Sequence, residues 1–266
     1  MEAALEDVEF LALSANRVAV LQSLAAGSRS RSDLAAETGA SQATLGRILA
    51  DFEERSWVRR AESAYEATAT GRLVADAFSE LLEALELERD LREIGEYLPA
   101  EELGFDLARL TDATITVPTG TRPNAPVQRL IDLERDAAEV RAFSHAFNEQ
   151  TLSLMAERAA EGTVRFRGIF SPDAVAALTG DDALRRHLLT LVDADDAAVR
   201  VRSSGVPVAG TLVDGRLHLL VRDDSGVLRA AIDTDDPAVR EWADDAFDRY
   251  WTEAAPLERG DVVATD

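Results

Sequence analysis

Residues 33–49, Asp33-Leu-Ala-Ala-Glu-Thr-Gly-Ala-Ser-Gln-Ala-Thr-Leu-Gly-Arg-Ile-Leu49, have the types and spacing that lay a short helix against a polyanion. Two helices that cross steeply need a small residue where they touch, and Ala35 supplies it. Four residues on, Gly39 gives a sharp turn the backbone freedom it needs. Six further, Leu45 opens an inward apolar series with Ile48, Leu49 and Phe52, joined by Leu34. Ser41 is placed to cap the second helix. Its outward side presents Ala43, Gly46, Arg47 and Ala50, flanked by Gln42 and Thr44, a small and polar surface around one cation. Such a face fits a major groove, with Arg47 on guanine, Gln42 on adenine and the methyl of Ala43 or Thr44 on thymine. Gly46 costs about 1 kcal/mol of helix stability against alanine, which a close backbone approach would justify. A solvated helix with an incidental arginine is the plainer alternative.

Further cations lie nearby in sequence. Residues 57–60 and 65–68 read as two strands around Glu62-Ser63-Ala64, and they carry Arg59, Arg60 and Tyr65, where phosphate contacts are normal. The tip holds a glutamate, so the stem of this hairpin is expected to meet DNA. Arg31, opening a helix at 31–38, is another backbone-contact candidate. Helix pair plus hairpin give a winged helix-turn-helix over residues 1–70.

A second group of candidates lies in the other half of the chain. Ser144 and His145 follow a strand end, a common place for a pocket in α/β folds. Arg165 and Arg167 alternate along a strand and suit an anionic metabolite, or simply pair with neighbouring acids. His218 falls on a hairpin strand. The acidic runs at 193–196, 223–224 and 233–236 read as solvated turns and lack calcium-loop spacing. No phosphate loop, nucleophile elbow or zinc-protease signature is present, so neither catalytic residue, cofactor nor metal is expected.

Composition narrows the class. The 266 residues suit two domains, and 46% hydrophobic content is enough for real cores. Cysteine is absent, which excludes disulfides, thiol sensing and cysteine-ligated metals. All 28 basic residues are arginine, against 50 acids, a net charge of −22. A lysine-free, strongly acidic chain points to molar salt, where carboxylates keep a surface hydrated. Residues 11–75 escape this trend, with 8 Arg against 7 acids, as a surface that meets a polyanion requires. Glu2, Glu6, Asp7 and Glu9 are unlike a targeting segment, and no apolar run reaches spanning length. The expected location is the cytoplasm.

The elements that position these residues follow from periodicity and breakers. Residues 3–13 and a stretch from Ser14 to Gly27 read as helices, ahead of the pair at 31–38 and 41–54. Residues 71–98 read as one long helix, ended by Pro99. Val74, Phe78, Leu81 and Leu85 form one stripe; Leu87, Leu91, Ile94 and Leu98 form another, turned almost to the opposite side. One stripe packs on the chain's own domain and the other meets a partner chain; a helix wholly within one domain is the alternative. Residues 99–126 read as a connecting segment. Helices and strands then alternate over 127–255, an α/β layer structure. Residues 256–266 read as a tail.

At the level of motifs, Asn16-Arg17-x-x-Val20-Leu21-x-x-Leu24, Trp57-Val58 and Tyr65-x-x-Thr68-x-x-Gly71-Arg72 resemble archaeal winged-helix regulators. More narrowly, the chain is similar to haloarchaeal relatives of the methanogenesis regulatory protein. Val140-Arg-Ala-Phe-Ser144, Glu161-Gly-Thr-Val-Arg-Phe-Arg167, Gly210–Asp214 and Pro237-x-x-x-x-Trp242-Ala243 extend the likeness to the C-terminal half. The resemblance implies a C-terminal α/β effector domain with the layout of a phospholipase-D-like half-fold. Enzymes of that fold use a His-x-Lys pair; here the residues are His218-Leu219-Leu220, in a chain without lysine. The expectation is therefore a homodimeric regulator of double-stranded DNA, controlled by a small-molecule effector. A nuclease or hydrolase with an accessory DNA-binding domain, and an architectural protein that senses nothing, are the rivals.

Overall fold

The computed structural model describes residues 1–223 and 225–263. They divide into two units, Met1–Glu86 and the chain from Leu87 onward, each with its own core.

The first unit contains α1 (Glu2–Ala12), α2 (Ala15–Ala26), α3 (Arg31–Thr38), α4 (Gln42–Glu54), β1 (Val58–Ala61), β2 (Ala64–Ala67) and the start of α5 (Ala69–Leu91). Local chemistry sets the boundaries. The Ser30 hydroxyl accepts the Asp33 N–H, while the Asp33 carboxylate accepts the Ser30 N–H, closing a reciprocal cap on α3. The Ser30 hydroxyl also donates to the Asp33 carboxylate at 2.7 Å, and this bond, with that from the Ser30 N–H, holds the carboxyl below its usual range. Gly39 ends α3 in the left-handed region at φ 69°, and Ser41 caps α4 by accepting the Thr44 N–H at 3.2 Å. The side chains of Leu11, Leu21, Leu24, Leu34, Leu45 and Phe52 are buried together. Phe10 meets Phe52 and Trp57 edge-on, and Phe52 and Trp57 meet at a tilt, with rings about 6 Å apart.

Two details of this unit differ from the sequence reading. The hairpin tip is a two-residue turn, Glu62-Ser63, with Ala61 paired to Ala64 and Glu62 at φ 55°. Arg29 and Tyr65 also exchange backbone hydrogen bonds at 2.9 and 2.8 Å, adding an isolated bridge beside β2.

The helix expected over 71–98 stops at Leu91, and a single 3-10 turn, Gly95–Tyr97, precedes Pro99. Gly95 is a poor helix former and Pro99 disfavours a helical residue 98. Leu87, Leu91, Ile94 and Leu98 are nevertheless all buried in the second unit's core. Burial of such side chains is worth about 1.5–3 kcal/mol each, whichever backbone delivers them. The other stripe is mixed: Phe78 is buried in the first unit, whereas Leu81 and Leu85 are 43% and 47% exposed.

The second unit runs through β3 (Thr114–Thr116), α6 (Ala125–Glu134), β4 (Glu139–Ser144), α7 (Glu149–Ala160), β5 (Arg165–Phe170), α8 (Pro172–Thr179) and α9 (Asp182–Asp193). It continues with β6 (Ala197–Val201), β7 (Gly210–Val213), β8 (Arg216–Arg222), β9 (Leu228–Thr234), α10 (Pro237–Glu253), β10 (Ala255–Pro256) and α11 (Arg259–Val263). The strands make one eight-stranded sheet in the order β10-β6-β5-β4-β7-β8-β9-β3. β4, β5 and β6 are parallel, and the remaining pairs are antiparallel. Strand alternation sends Phe143, Ile169, Leu217 and Leu219 to a core shared with Phe247 and Tyr250 of α10. Val140, Phe166, Phe170 and Val199 face the other way, into a core shared with α6, α7, α8 and α9. Asp214 and Gly215, at φ 47° and 85°, form the β7–β8 hairpin turn.

Here too the structure corrects expectations. β3 lies within the segment read as a connector. In the segment read as a tail, α11 buries Val262 completely, and residues 264–266 lie outside the described residues. Of the acidic turns, Asp224 also lies outside them. Asp233 is not a solvated turn residue: it sits in β9 with no exposed surface and receives Arg129 at 3.0 and 2.7 Å. Among the described residues no helix is long and apolar enough to cross a membrane.

Candidate nucleic-acid interface

The α3–turn–α4 segment divides its side chains cleanly. Leu45, Ile48, Leu49 and Phe52 of α4 are buried, while Ser41, Gln42, Ala43, Arg47 and Ala50 are exposed and Thr44 and Gly46 half-buried. The outward face is thus the one expected from the spacing. Among the described residues the Arg47 guanidinium has neither an ion-pair nor a hydrogen-bond partner, and it projects from a surface of small side chains.

The surrounding cations are held differently. Arg31 donates from Nη2 to the Gln42 carbonyl at 2.7 Å, and the Gln42 amide nitrogen returns a long bond of 3.4 Å to the Arg31 carbonyl. This guanidinium lies over Gly46: a Cβ there would stand 2.9 Å from Arg31 Nη2. Gly46 therefore has a reason inside the fold, beyond the close approach expected from the sequence: it makes a seat for Arg31. Arg59 is paired with Glu66 across the hairpin at 2.5 Å. Arg60 is exposed and stands 6.0 Å from the Tyr65 ring, with no carboxylate partner among the described residues. Among the described residues of the first unit, Arg31, Arg47 and Arg60 are thus left without a carboxylate, as is Arg72, which donates to the Ala67 carbonyl.

Sequence reasoning missed how the acids here are disposed. Asp33 is occupied in the α3 cap, Glu37 takes Arg29 at 2.9 Å, and Asp51 takes Arg17 at 3.6 Å. Arg17 and Arg55 also cover the Phe10 ring, at 3.9 and 3.8 Å. These arginines belong to the packing of the first unit, and only a three-dimensional arrangement reveals it.

The candidates in the second unit do not converge. Ser144 ends β4 and His145 follows it, its Nδ1 donating to the Val206 carbonyl at 3.1 Å. Arg165 pairs in register with Glu139, at the opposite end of the β4–β5 ladder from Ser144. Arg167 is bound to Glu139 at 2.6 Å and lies 5.7 Å from the Phe247 ring. His218 is completely buried and neither ring nitrogen has a hydrogen-bond partner. Burial pushes it down to about 4, although Asp233 lies 3.9 Å away. An imidazole sealed in this way, without lysine two residues on, is not placed to attack a phosphodiester. Glu134 was not singled out from the sequence; it is 3% exposed, and burial pushes its carboxyl up to about 8. No local pattern distinguishes it from any acid ending an amphipathic helix.

Comparison with known proteins covers both units. Residues 5–90 match the HVO_A0261 N-terminal domain, and residues 123–253 match the middle domain of the methanogenesis regulatory protein FilR1. No curated protein matches the sequence. Among solved structures, TrmBL2, an archaeal chromatin protein, is 14% identical at a TM-score of 0.42, covering 93% of this chain and 98% of that one. Nuc of Salmonella typhimurium, a phospholipase D family member, is 11% identical at a TM-score of 0.43, over 55% of this chain and 99% of that one. NucT of Helicobacter pylori is 11% identical at 0.42, over 55% and 98%. At these scores the structural likeness is loose.

Proposed function

We propose that this chain, which joins an HVO_A0261 N-terminal domain to a FilR1 middle domain, is a sequence-specific regulator of transcription that binds double-stranded DNA. Residues 1–70 are its reading head, a winged helix-turn-helix. The observation that carries this reading is the outward face of α4, where Arg47 stands unneutralised among Gln42, Ala43, Thr44 and Gly46. α4 enters the major groove by its N-terminal half, Arg47 and Gln42 meet base edges, and Arg31, Arg60 and Tyr65 meet the backbone. Ser41 holds the N-terminus of α4 in register, and Arg59 stiffens the hairpin through Glu66.

A single arginine on one short helix specifies little, so the protein acts as a homodimer. Support comes from Leu73, Leu81 and Leu85 of α5, which are 68%, 43% and 47% exposed on one side of that helix. The second unit, which contains the α/β segment 127–255, senses a small-molecule effector, with Ser144 and His145 as its candidate contacts. A protein that acts on genomic DNA belongs in the cytoplasm, and the acidic, lysine-free composition fits a salt-adapted archaeon.

The test is selection of bound sequences from random duplexes in molar potassium chloride, followed by footprinting and light scattering. A dimer mass and a pseudo-palindrome with half-site centres about 34–36 Å apart are expected. A monomer with single-half-site footprints would remove the dimer, and selection without any consensus would remove sequence-specific reading.

A further inference from the structure

Beside the carboxyl end of β4, the second unit contains a cavity of about 490 Å³. That volume is in the range of sites that enclose small organic ligands. Its walls are mostly aliphatic, from Leu98, Leu103, Val208 and Leu219, and its polar side chains are few.

Those polar groups are unequal. The Asp223 carboxylate is fully engaged: it accepts the N–H groups of Ser225 and Val227, the Ser225 hydroxyl, and Arg229. These bonds hold it down to about 2. Arg229 in turn stands 5.1 Å from the ring of Tyr97, so Asp223, Arg229 and Tyr97 make a self-compensated wall. Arg222 is different. Its Nη1 donates to the Gly226 carbonyl at 2.9 Å, its Nε is buried without a partner, and no carboxylate neutralises it among the described residues. Burial without a counter-ion lowers its proton affinity. His145, also on the wall, donates from Nδ1 to the Val206 carbonyl, so Nε2 of the neutral ring can only accept and offers no proton to an anion.

An apolar cavity with one uncompensated cation selects a ligand that brings an apolar body and one negative charge. We infer that the cavity binds an organic monoanion, with its carboxylate on Arg222 and its aliphatic body against Leu98, Leu103, Val208 and Leu219. The assignment rests on the sensor reading of the second unit and gives it a site and a ligand class. It replaces Arg165, Arg167 and His218 with Arg222, and it keeps His145 only as part of the wall.

The experiment uses the full chain in molar potassium chloride, titrated with octanoate, butanoate and octan-1-ol while melting temperature and heat of binding are followed. Octanoate is expected to stabilise the protein and to bind about tenfold or more tightly than octan-1-ol, with butanoate weaker than octanoate. Arg222→Gln, its own melting temperature checked without ligand, should bind octanoate no better than the alcohol. Equal binding of octanoate and octan-1-ol by the unaltered protein would overturn the inference without recourse to any variant. So would unchanged octanoate affinity in Arg222→Gln, or no response to the whole series. Operator affinity measured with and without octanoate separates the two ideas. Charge-selective binding that leaves DNA affinity untouched supports the cavity assignment and removes the sensor reading. Failure to bind removes the cavity assignment and leaves the sensor reading to another class of effector.

Discussion

Replacing Gly71 by alanine tests whether packing or helix propensity governs the start of α5. A Cβ on Gly71 would lie 1.8 Å from the Trp57 carbonyl oxygen and 2.7 Å from its carbonyl carbon, where ordinary contact begins near 3.4 Å. The obstacle is backbone, held on its other side by the Thr68 N–H at 2.8 Å and the Thr68 hydroxyl at 3.2 Å. Relief requires α5 to move off the first residues of the hairpin. Overpacking of this kind costs about 1–3 kcal/mol, and a weakened Thr68–Trp57 hydrogen bond adds about 1 kcal/mol. Alanine returns at most about 1 kcal/mol of helix propensity. The expected net effect is a loss of about 2 kcal/mol, or roughly 8–16 °C in the melting temperature of a unit this size. Hydrogen exchange read by mass spectrometry on the full chain resolves it by region: amides of α2, α4 and the hairpin should lose protection while those of the sheet keep theirs. Unchanged or increased protection in Gly71→Ala would show that propensity outweighs the clash, and that Gly71 is not required by the approach of Trp57.

Gly46→Ala is the contrasting case, because the displaced atom is the end of the flexible Arg31 side chain; stability should hold or rise by up to about 1 kcal/mol while operator affinity falls as Arg31 leaves its seat, both read in parallel melts and binding titrations. Arg47→Ala should remove about 1–3 kcal/mol of base discrimination at one position per half-site, and a mutant whose selected consensus is unchanged would disqualify α4's outward face as the reader. Between moderate and molar potassium chloride, operator affinity should hold or rise, since few free cations face DNA and the carboxylates around them take up cations on approach; a steep loss with the protein still folded would rule this out. Glu134 carries a pH signature: its carboxyl titrates near 4.5 when unfolded and about 8 when folded, so the folded chain holds a proton the unfolded one has lost and stability falls as pH rises through that window. Glu134→Gln should flatten the decline by on the order of 3 kcal/mol between pH 5 and 8 in denaturant titrations, and parallel curves for the two proteins would show that Glu134 is ionised in the fold.

The candidate DNA-reading segment was legible because its determinants are short-range. The Ser41 cap, the left-handed Gly39 and the apolar spacing Leu45, Ile48, Leu49 and Phe52 each act within one or two turns of helix, and each lies where the spacing puts it. Partners far apart in sequence were not legible. The seat of Arg31 over Gly46, the sandwich of Arg17 and Arg55 on Phe10, and the burial of Asp233 under Arg129 all depend on tertiary placement. An acidic run reads as solvent-facing by composition alone, yet Asp233 lies within β9 and is buried, whereas Asp235, just past the end of the strand, is exposed. The long helix was misjudged at its end for the same reason. Its apolar stripe was read correctly, but a stripe reports what is buried, not that the backbone stays helical to the last member.

Strand order in the sheet also sets a timetable for the nascent chain. β3 finds its place only when β9 arrives, Ile115 opposite Ile232, and the other margin closes when Ala255 and Pro256 lie along β6. Contacts of such long sequence separation form slowly, and partly made sheets leave open edges that invite association with other chains. The first unit has no such debt to later residues, because its core is complete within Met1–Glu86. During synthesis the helices and hairpin at the front of the chain thus condense while most of the sheet is still on the ribosome. A chain arrested before β9 would carry a finished front and a sheet with bare edges, and quality control in the cell has the second half of this molecule, not the first, to watch.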